Sequence, residues 1–334
     1  MFDKKLAIVG ATGAVGRVFL ELLEEKYPGQ KNLFLLASAK SAGSTIKCGE
    51  QNYVVEDLDE FDFAKAEIAF FSAGGEIAEK YAPLAVSRGC TVIDNSSKFR
   101  SDDDKPLIVP EVNAHILKEI KFPIIIANPN CSTAQLLVAL KPVHDLFTIQ
   151  RVDVSTYQSV SGSGKSGIDE LTEQTKDFLS GKEVSINLYG SQIAFNVIPA
   201  GNILDNDYTD EEMKMSLETN KILDKEIELT ATCIRVPVFY GHSEAVHIET
   251  KKPIDLDLLI ETMDKQPGLD VYSSGDINAP NALNHAEGKN PVSVGRIRMD
   301  LWKKNRVNFW VVADNLRKGA ALNSLQILDE IIQL

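Results

Sequence analysis

The segment from Lys5 to Glu25 constrains this chain more than any other. Lys5-Leu-Ala-Ile-Val9 is a short β-type run, Gly10-Ala-Thr-Gly13-Ala-Val-Gly16 interrupts it, and Arg17-Val-Phe-Leu-Glu-Leu-Leu-Glu-Glu25 follows with the apolar spacing of a helix. Strand, glycine turn and helix in that order bring backbone N–H groups close to a pyrophosphate, which then rests on the positive end of the helix. The glycines fall at i, i+3 and i+6 rather than in the G-x-G-x-x-G pattern. The turn by itself therefore leaves a ligand-free strand-to-helix connection open.

Further apolar runs at Asn32 to Ala37, Ile68 to Ser72, Thr91 to Ile93 and Phe122 to Ala127 alternate with helix-like or loop segments. That alternation predicts a parallel sheet covered by helices. After about residue 130 the pattern changes to longer strand candidates at Arg151 to Val160, Ala231 to Phe239, Glu244 to Glu249 and Arg306 to Val312, with a helix over Ser166 to Leu179. A mixed or antiparallel sheet is expected there. The helical period of Gly319 to Ile332 predicts a last helix that returns to the first domain. The fold class is therefore α/β, a Rossmann-type dinucleotide-binding domain with a second α+β domain on a mixed sheet. The expected boundaries are 1–130 plus 315–334 for the first and 131–314 for the second.

With 334 residues and 44% apolar side chains the chain can bury two cores of this kind. Its 35 basic and 48 acidic side chains give a formal charge of −13, and no Lys/Arg stripe breaks the acidic surface, which excludes nucleic acid as a natural partner. No apolar stretch reaches membrane-spanning length, and Met1-Phe2-Asp3-Lys4-Lys5 lacks the pattern of a signal peptide. Cys48, Cys90, Cys131 and Cys233 are widely spaced with no C-x-x-C pair, so neither a zinc site nor a disulfide scaffold is expected. A cytoplasmic protein without a metal fits these features.

One cysteine has a special setting. Ile124-Ile-Ile-Ala-Asn-Pro-Asn-Cys131-Ser-Thr-Ala-Gln-Leu-Leu-Val-Ala-Leu140 places Cys131 between a buried strand and a helix, where unpaired N–H groups and the helix dipole favour thiolate. The other three cysteines default to packing. After the second strand candidate, Ala37-Ser38-Ala39-Lys40-Ser41 carries no carboxylate for a ribose 2′-hydroxyl; a hydroxyl and a lysine suit the 2′-phosphate of NADP, or form an ordinary polar loop. A nucleophilic thiol beside a nicotinamide points to aldehyde oxidation through a thioester.

The chain resembles the aspartate-β-semialdehyde dehydrogenases in eight ordered blocks. They are Gly10 to Gly16, Ser72-Ala-Gly-Gly75, Asp94-Asn-Ser-Ser-Lys-Phe-Arg100, Val109-Pro-Glu-Val-Asn113, Asn128-Pro-Asn-Cys-Ser-Thr133, Tyr157-Gln-Ser-Val-Ser-Gly162, Glu211-Glu-Met-Lys214 and Arg235-Val-Pro-Val-Phe-Tyr-Gly-His242. The resemblance implies NADP-dependent interconversion of L-aspartyl-4-phosphate with L-aspartate 4-semialdehyde and phosphate, on the route to lysine by way of diaminopimelate, threonine and methionine. It implies Cys131 as nucleophile, His242 as general acid/base and Gln158 as an orienting group. It further implies Arg235 on the substrate α-carboxylate, Glu211 on the α-ammonium, and Arg100, Lys214 and Asn95 on phosphate. Gly10, Thr12, Gly13, Val15, Ser38, Ser41, Ser72, Gly162 and Asn315 would border the cofactor, and a homodimer or homotetramer is implied. Residue chemistry agrees: Arg235 offers a planar fork for a carboxylate, and an ordinary histidine titrates near neutrality.

Ala127, Ala134 and Pro199-Ala-Gly-Asn-Ile-Leu204 depart from the family pattern beside the site. N-acetylglutamyl-phosphate reductase shares the chemistry but would show Asn-Pro-Gly-Cys-Tyr where this chain has Asn-Pro-Asn-Cys-Ser. A non-catalytic NADP-binding protein is the alternative from another class. Gly162-Ser-Gly-Lys-Ser166 imitates a P-loop but has Ser159 where the first glycine belongs, and Asp205 to Glu212 imitates a calcium loop without its central glycine.

Overall fold

A computed structural model describes residues 2–272 and 279–334. The chain divides into two compact units, Met1–Pro129 with Ala320–Leu334, and Asn130–Gly319.

In the first unit, β1 (Leu6–Val9) is wholly buried and central. The glycine turn leads from it into α1 (Ala14–Lys26), whose Phe19, Leu20, Leu22 and Leu23 face the core, and which stops just before Pro28-Gly29. The chain continues through β2 (Leu33–Ala37), β3 (Thr45–Cys48), β4 (Gln51–Asp57), β5 (Ile68–Phe71), α2 (Gly75–Ser87), β6 (Thr91–Asp94), the short α3 (Pro110–Asn113) and β7 (Ile125–Ala127). The sheet order is β3-β4-β2-β1-β5-β6-β7, with β3 antiparallel to β4 and the other pairs parallel. Strand order reverses at β1, which puts the switch-point crevice at the carboxyl end of that strand, where Gly10 lies. Phe19 stacks on Phe70 with ring centroids 4.1 Å apart, and buried aromatic and aliphatic side chains of this core contribute about 1.5–3 kcal/mol each by leaving water. The run expected from Phe122 is paired only from Ile125, since Pro123 has no N–H to offer a ladder.

The second unit opens with α4 (Cys131–Phe147) and β8 (Ile149–Gln158), then α5 (Gly164–Leu179), β9 (Ile198–Pro199), α6 (Asp210–Ile222), β10 (Glu228–Arg235), β11 (His242–Thr250), α7 (Leu256–Asp264), β12 (Leu269–Val271), α8 (Ala282–His285), β13 (Val292–Met299) and β14 (Arg306–Ala313). These strands form one mixed sheet in the order β12-β13-β14-β11-β8-β10-β9. β8 runs parallel to β10 and antiparallel to β11, which is antiparallel to β14. The registers place Arg235 beside Gln158 and Ser243 beside Tyr157. α4 lies on the buried face of this sheet, and every residue from Ser132 to Leu140 is withdrawn from solvent.

Beyond a short π-turn at Arg317–Ala321, α9 (Leu322–Gln333) packs in the first unit against α1. Asp329 there takes Lys26 and the Tyr27 hydroxyl, and Asn323 Nδ2 donates to the Ile108 carbonyl and to Asn128 Oδ1 at 2.9 and 2.7 Å. The boundary expected at Asn315 lies at Ala320, because Asn315 is tied by its side chain to residues of the second unit.

Candidate active site

Cys131 is the first residue of α4. Asn130 caps that helix: its Oδ1 accepts from Ser132 N at 2.9 Å and from Thr133 N at 3.3 Å. The cap leaves Cys131 in the first turn, at the positive end of a helix of 17 residues, and the thiol is partly open rather than buried. Gly319 presses on it: a methyl group at that position would lie 2.6 Å from the Cys131 Cβ. Cys48, Cys90 and Cys233 are buried, and burial raises their thiols, Cys48 to about 11 and Cys90 to about 12. Their setting is that of packing residues.

Glu211 gathers a polar cluster beside Cys131. Its Oε1 accepts from Asn130 Nδ2 at 2.8 Å and from Gln158 Nε2 at 3.0 Å, and Gln158 Nε2 also donates to Ser132 Oγ at 2.7 Å. Lys214, one turn along α6, donates to Asp210 at 2.8 Å and to Glu211 Oε2 at 3.3 Å. Burial works to raise the Glu211 carboxyl, but the Lys214 charge, the bonds from Asn130 and Gln158, and Arg235 together hold it below the usual range. Burial likewise works to lower Lys214, and the two carboxylates outweigh it. Both groups are therefore charged at neutral pH.

His242 is fully buried at the start of β11. Its Nδ1 accepts the Ser159 backbone N–H at 3.0 Å, so the hydrogen of the neutral ring sits on Nε2. Nε2 has no hydrogen-bond partner among the described residues. Burial first, and then the Arg235 charge, push the imidazole down to about 3, against the opposing pull of Glu211 and the Gly241 backbone. The near-neutral titration expected of an ordinary histidine does not hold here; His242 is a neutral N–H donor across physiological pH. Arg235 Nη1 donates to the Ser159 carbonyl at 2.7 Å. Gly162 adjoins both side chains, since a methyl group there would lie 2.9 Å from Arg235 Nη1 and 3.4 Å from His242 Nε2. Asn315 supports the same loop, its Oδ1 accepting from Ser159 Oγ, Ser161 Oγ and Gly241 N at 3.0–3.1 Å.

The remaining candidates lie in the first unit. Gly10 has φ +86°, and a methyl group on it would sit 2.9 Å from the Ser72 carbonyl carbon. Gly16 is just as confined, with the Gly10 carbonyl oxygen 2.3 Å from where a Cβ would stand. Gly13 caps α1 without any side-chain bond and no acid occupies the first turn, so the helix N–H groups remain open to an anion. These features fit a dinucleotide pyrophosphate. Thr12 is half-buried on this turn, and Val15 packs on the core from α1. Ser38, directly after β2, is exposed, and its carbonyl accepts from Ser41 N at 2.8 Å in a tight turn. Ser72 Oγ donates to the Val9 carbonyl at 3.2 Å. Arg100 Nη2 donates to the Asn95 carbonyl at 3.1 Å, and Asn95 Oδ1 accepts from Asn128 Nδ2 at 2.8 Å.

Several contributors carried no mark of their role in the sequence. Asn130 both caps α4 and holds Glu211; its place before a helix was the available signal. Ser159 acts through its backbone, and Glu218 takes the Asn130 N–H at 2.6 Å. The P-loop imitation resolves into α5, with Lys165 paired to Asp169 one turn on. The calcium imitation resolves into the capping box of α6, Thr209 with Glu212. Among the described residues no group of His, Cys, Asp and Glu side chains could hold a metal, and no helix is long and apolar enough to cross a membrane.

Comparison with known proteins adds an independent line. The semialdehyde dehydrogenase NAD-binding domain matches residues 5–120, and the semialdehyde dehydrogenase dimerisation domain matches residues 140–318. The aspartate-semialdehyde dehydrogenase of Shewanella violacea is 48% identical over 98% of this chain and 97% of its own length. The crystal structure of aspartate semialdehyde dehydrogenase II from Vibrio cholerae, complexed with ASA, superposes with a TM-score of 0.96 at 48% identity, covering 100% of this chain and 99% of that one. That of the Candida albicans aspartate semialdehyde dehydrogenase with NADP superposes with a TM-score of 0.75 at 25% identity over 98% of both chains.

Proposed function

This chain belongs to the aspartate-semialdehyde dehydrogenase family, and on that premise we propose that it oxidises L-aspartate 4-semialdehyde with phosphate to L-aspartyl-4-phosphate, reversibly, through a thioester on Cys131. The observation that carries the proposal is the placement of Cys131 at the capped start of α4, beside the cluster that joins Gln158, Glu211 and Lys214.

Each step follows from the chemistry of that cluster. The Cys131 thiolate, favoured by the helix end, forms an S–C bond to the aldehyde carbon while the carbonyl electron pair moves onto oxygen. His242 Nε2–H, a neutral donor, stabilises that oxyanion without releasing its hydrogen. NADP, when bound, supplies the acceptor for the hydride that leaves the same carbon. A phosphate oxygen then attacks the thioester carbonyl, the S–C bond breaks, and the thiolate departs. Gln158, anchored on Ser132 and Glu211, orients the reacting group. Glu211, kept ionised, receives the substrate α-ammonium, and Arg235, anchored by Nη1, turns its remaining guanidinium edge to the α-carboxylate. Arg100, Asn95 and Lys214 are the phosphate ligands of this proposal.

NADP is proposed on the same footing. Gly10, Thr12, Gly13, Val15 and Ser72 would take the pyrophosphate side, Ser38 and Ser41 the 2′-phosphate, and Gly162 the nicotinamide. Asn315, whose Oδ1 is occupied, has its Nδ2 left for the cofactor. Ser38→Asp is expected to set a carboxylate against the 2′-phosphate and offer an acceptor to the 2′-hydroxyl of NAD. The NADP/NAD ratio of kcat/KM should fall roughly ten- to a hundredfold, or about 1–3 kcal/mol. A ratio unchanged by the substitution places the 2′ position elsewhere.

Arg235→Lys is expected to raise KM for the semialdehyde roughly tenfold or more, because one ammonium cannot replace a two-bond fork. Steady-state kinetics check this; an unchanged KM moves the carboxylate to another group. The proposal extends to a homodimer or homotetramer in the cytoplasm that serves lysine, threonine and methionine synthesis. Its test is NADPH formation from aspartate semialdehyde with phosphate present and omitted, with N-acetylglutamate semialdehyde as a competitor substrate. Turnover of the acetylated compound alone would favour the sister reductase, and cofactor binding with no turnover would favour a non-catalytic protein.

A further inference from the structure

A second polar layer lies directly beneath His242. Along β11 the residue two positions on, on the same buried face, is Glu244, which is fully enclosed and pairs with Thr156 of β8 and Val311 of β14. Neither carboxyl oxygen of Glu244 makes a hydrogen bond among the described residues, and neither do Gln135 Oε1 and Thr156 Oγ1. Gln135 reaches down from α4 toward this carboxyl and spends its Nε2 on the His242 carbonyl oxygen, at 3.4 Å. Of these four buried oxygens only the Thr156 hydroxyl carries a hydrogen, and it bonds to none of the others; the Glu244 carboxylate and Gln135 Oε1 are acceptors alone, whereas a carboxylic acid has one hydrogen to give.

We propose that Glu244 is a positioning residue for His242: as an uncharged acid its O–H closes on Gln135 Oε1, which aims Gln135 Nε2 at the His242 carbonyl and fixes the start of β11. A carboxylate in the same place would face Gln135 Oε1 with like partial charge and turn the amide away. Burial pushes the Glu244 carboxyl well above the ordinary range, and only a hydrogen bond that a turned Gln135 amide would donate to the charged form works against it. The elements packed around it bring Thr156 and Gln158 from β8, Val311 from β14, and Gln135 from α4. The titratable groups of this face are His242 on β11, Cys233 and Arg235 on β10, and Cys131 on α4; Cys233 is itself raised, chiefly by burial and further by the Glu211 and Glu212 carboxylates. The kinetic part of the proposal rests on the role assigned to His242 above; the protonation part does not.

Glu244→Gln, Glu244→Leu, Gln135→Leu and the double Leu variant test both parts on the full chain. In denaturant titrations across pH 5–9, the folded acid keeps its proton while the unfolded one loses it above about 4.5. The unfolding constant of the wild type should therefore rise about tenfold per pH unit relative to Glu244→Gln, until the folded group titrates. Parallel curves would overturn the uncharged acid. In ¹⁵N spectra without substrate, the His242 ring signals should stay in place in Glu244→Gln, whose amide keeps a donor, and move in both Leu variants; ring signals that are the same in all of them would overturn the link to His242. In kinetics, kcat should fall about tenfold in each Leu variant at unchanged KM, with the double variant no worse than either single, and Glu244→Gln should restore it to within about threefold. Losses that multiply, or a full kcat in Glu244→Leu, would overturn the chain of contacts. If no variant and no wild type turns over the semialdehyde while the pH and ¹⁵N results hold, the assigned function fails and the positioning of His242 stands.

Discussion

Cys131→Ser should abolish turnover, by roughly 10³-fold or more, and leave folding and cofactor binding close to wild type. The reason is specific to the position. At the first residue of α4 the helix end stabilises an anion, and a thiol gives up its proton far more readily than a serine hydroxyl. Serine also accepts this backbone position readily, and Cys131 is only partly buried, so little packing is lost. The acylated serine would be an ester, a poorer acyl donor to phosphate than a thioester. Rate, melting temperature and cofactor titration measured together check the expectation; residual turnover within about tenfold of wild type would remove Cys131 from the reaction.

The second large effect is that of His242→Asn, in which the shorter amide stops short of the place held by Nε2. Losing one oxyanion donor lowers kcat by about 10²–10³-fold while KM changes little. An unchanged kcat would contradict the role. The buried ring also carries a pH signature. The unfolded histidine takes up a proton near 6.5 and the folded one only near 3, so the wild type loses stability as pH falls through that window, at about 1.4 kcal/mol per pH unit. Asparagine does not titrate, and at pH 5 the variant should be less acid-labile by about 2 kcal/mol. The same depression, in the substrate-free protein, means that His242 itself places no limb near pH 6.5 in the kcat/KM profile.

The architecture was legible where the signals were local. Val9 into Gly10, then Phe19, Leu20 and Leu23 at helical spacing, reports strand, turn and helix within about twenty residues, and the structure follows it. Failures fall where pairing rather than pattern decides. The run from Ala231 to Phe239 stops pairing at Arg235 because Pro237 breaks the ladder. β13 escaped notice because Gly295 and Arg296, the latter at φ +54°, sit at a register shift that interrupts its alternation. The hairpin of β3 and β4 was missed because its residues are polar and exposed on one face, as suits an edge.

In the proposed site, the residues assigned a role through a charge or a thiol, Cys131, Glu211, Lys214, Arg235 and His242 among them, could be proposed from type and order. Residues that act through the backbone or through register were not. Ser159 fixes the tautomer of His242 by its N–H, and nothing in a serine announces that. Glu244 looks like one more surface acid until β11 is seen to bury its even-numbered side, and His242 looks like an ordinary titrating base until its burial is known.

The central claim is that Cys131 carries an acyl group between two half-reactions, and one single-turnover measurement tests it most directly. Enzyme mixed with excess aspartate semialdehyde and NADP in phosphate-free buffer should release one equivalent of NADPH per site and then stop. Intact mass should show the aspartyl group on the wild type and none on Cys131→Ser, and added phosphate should restart turnover. Steady NADPH formation at the full rate without phosphate, or an equivalent of NADPH with no added mass on the protein, would contradict the account.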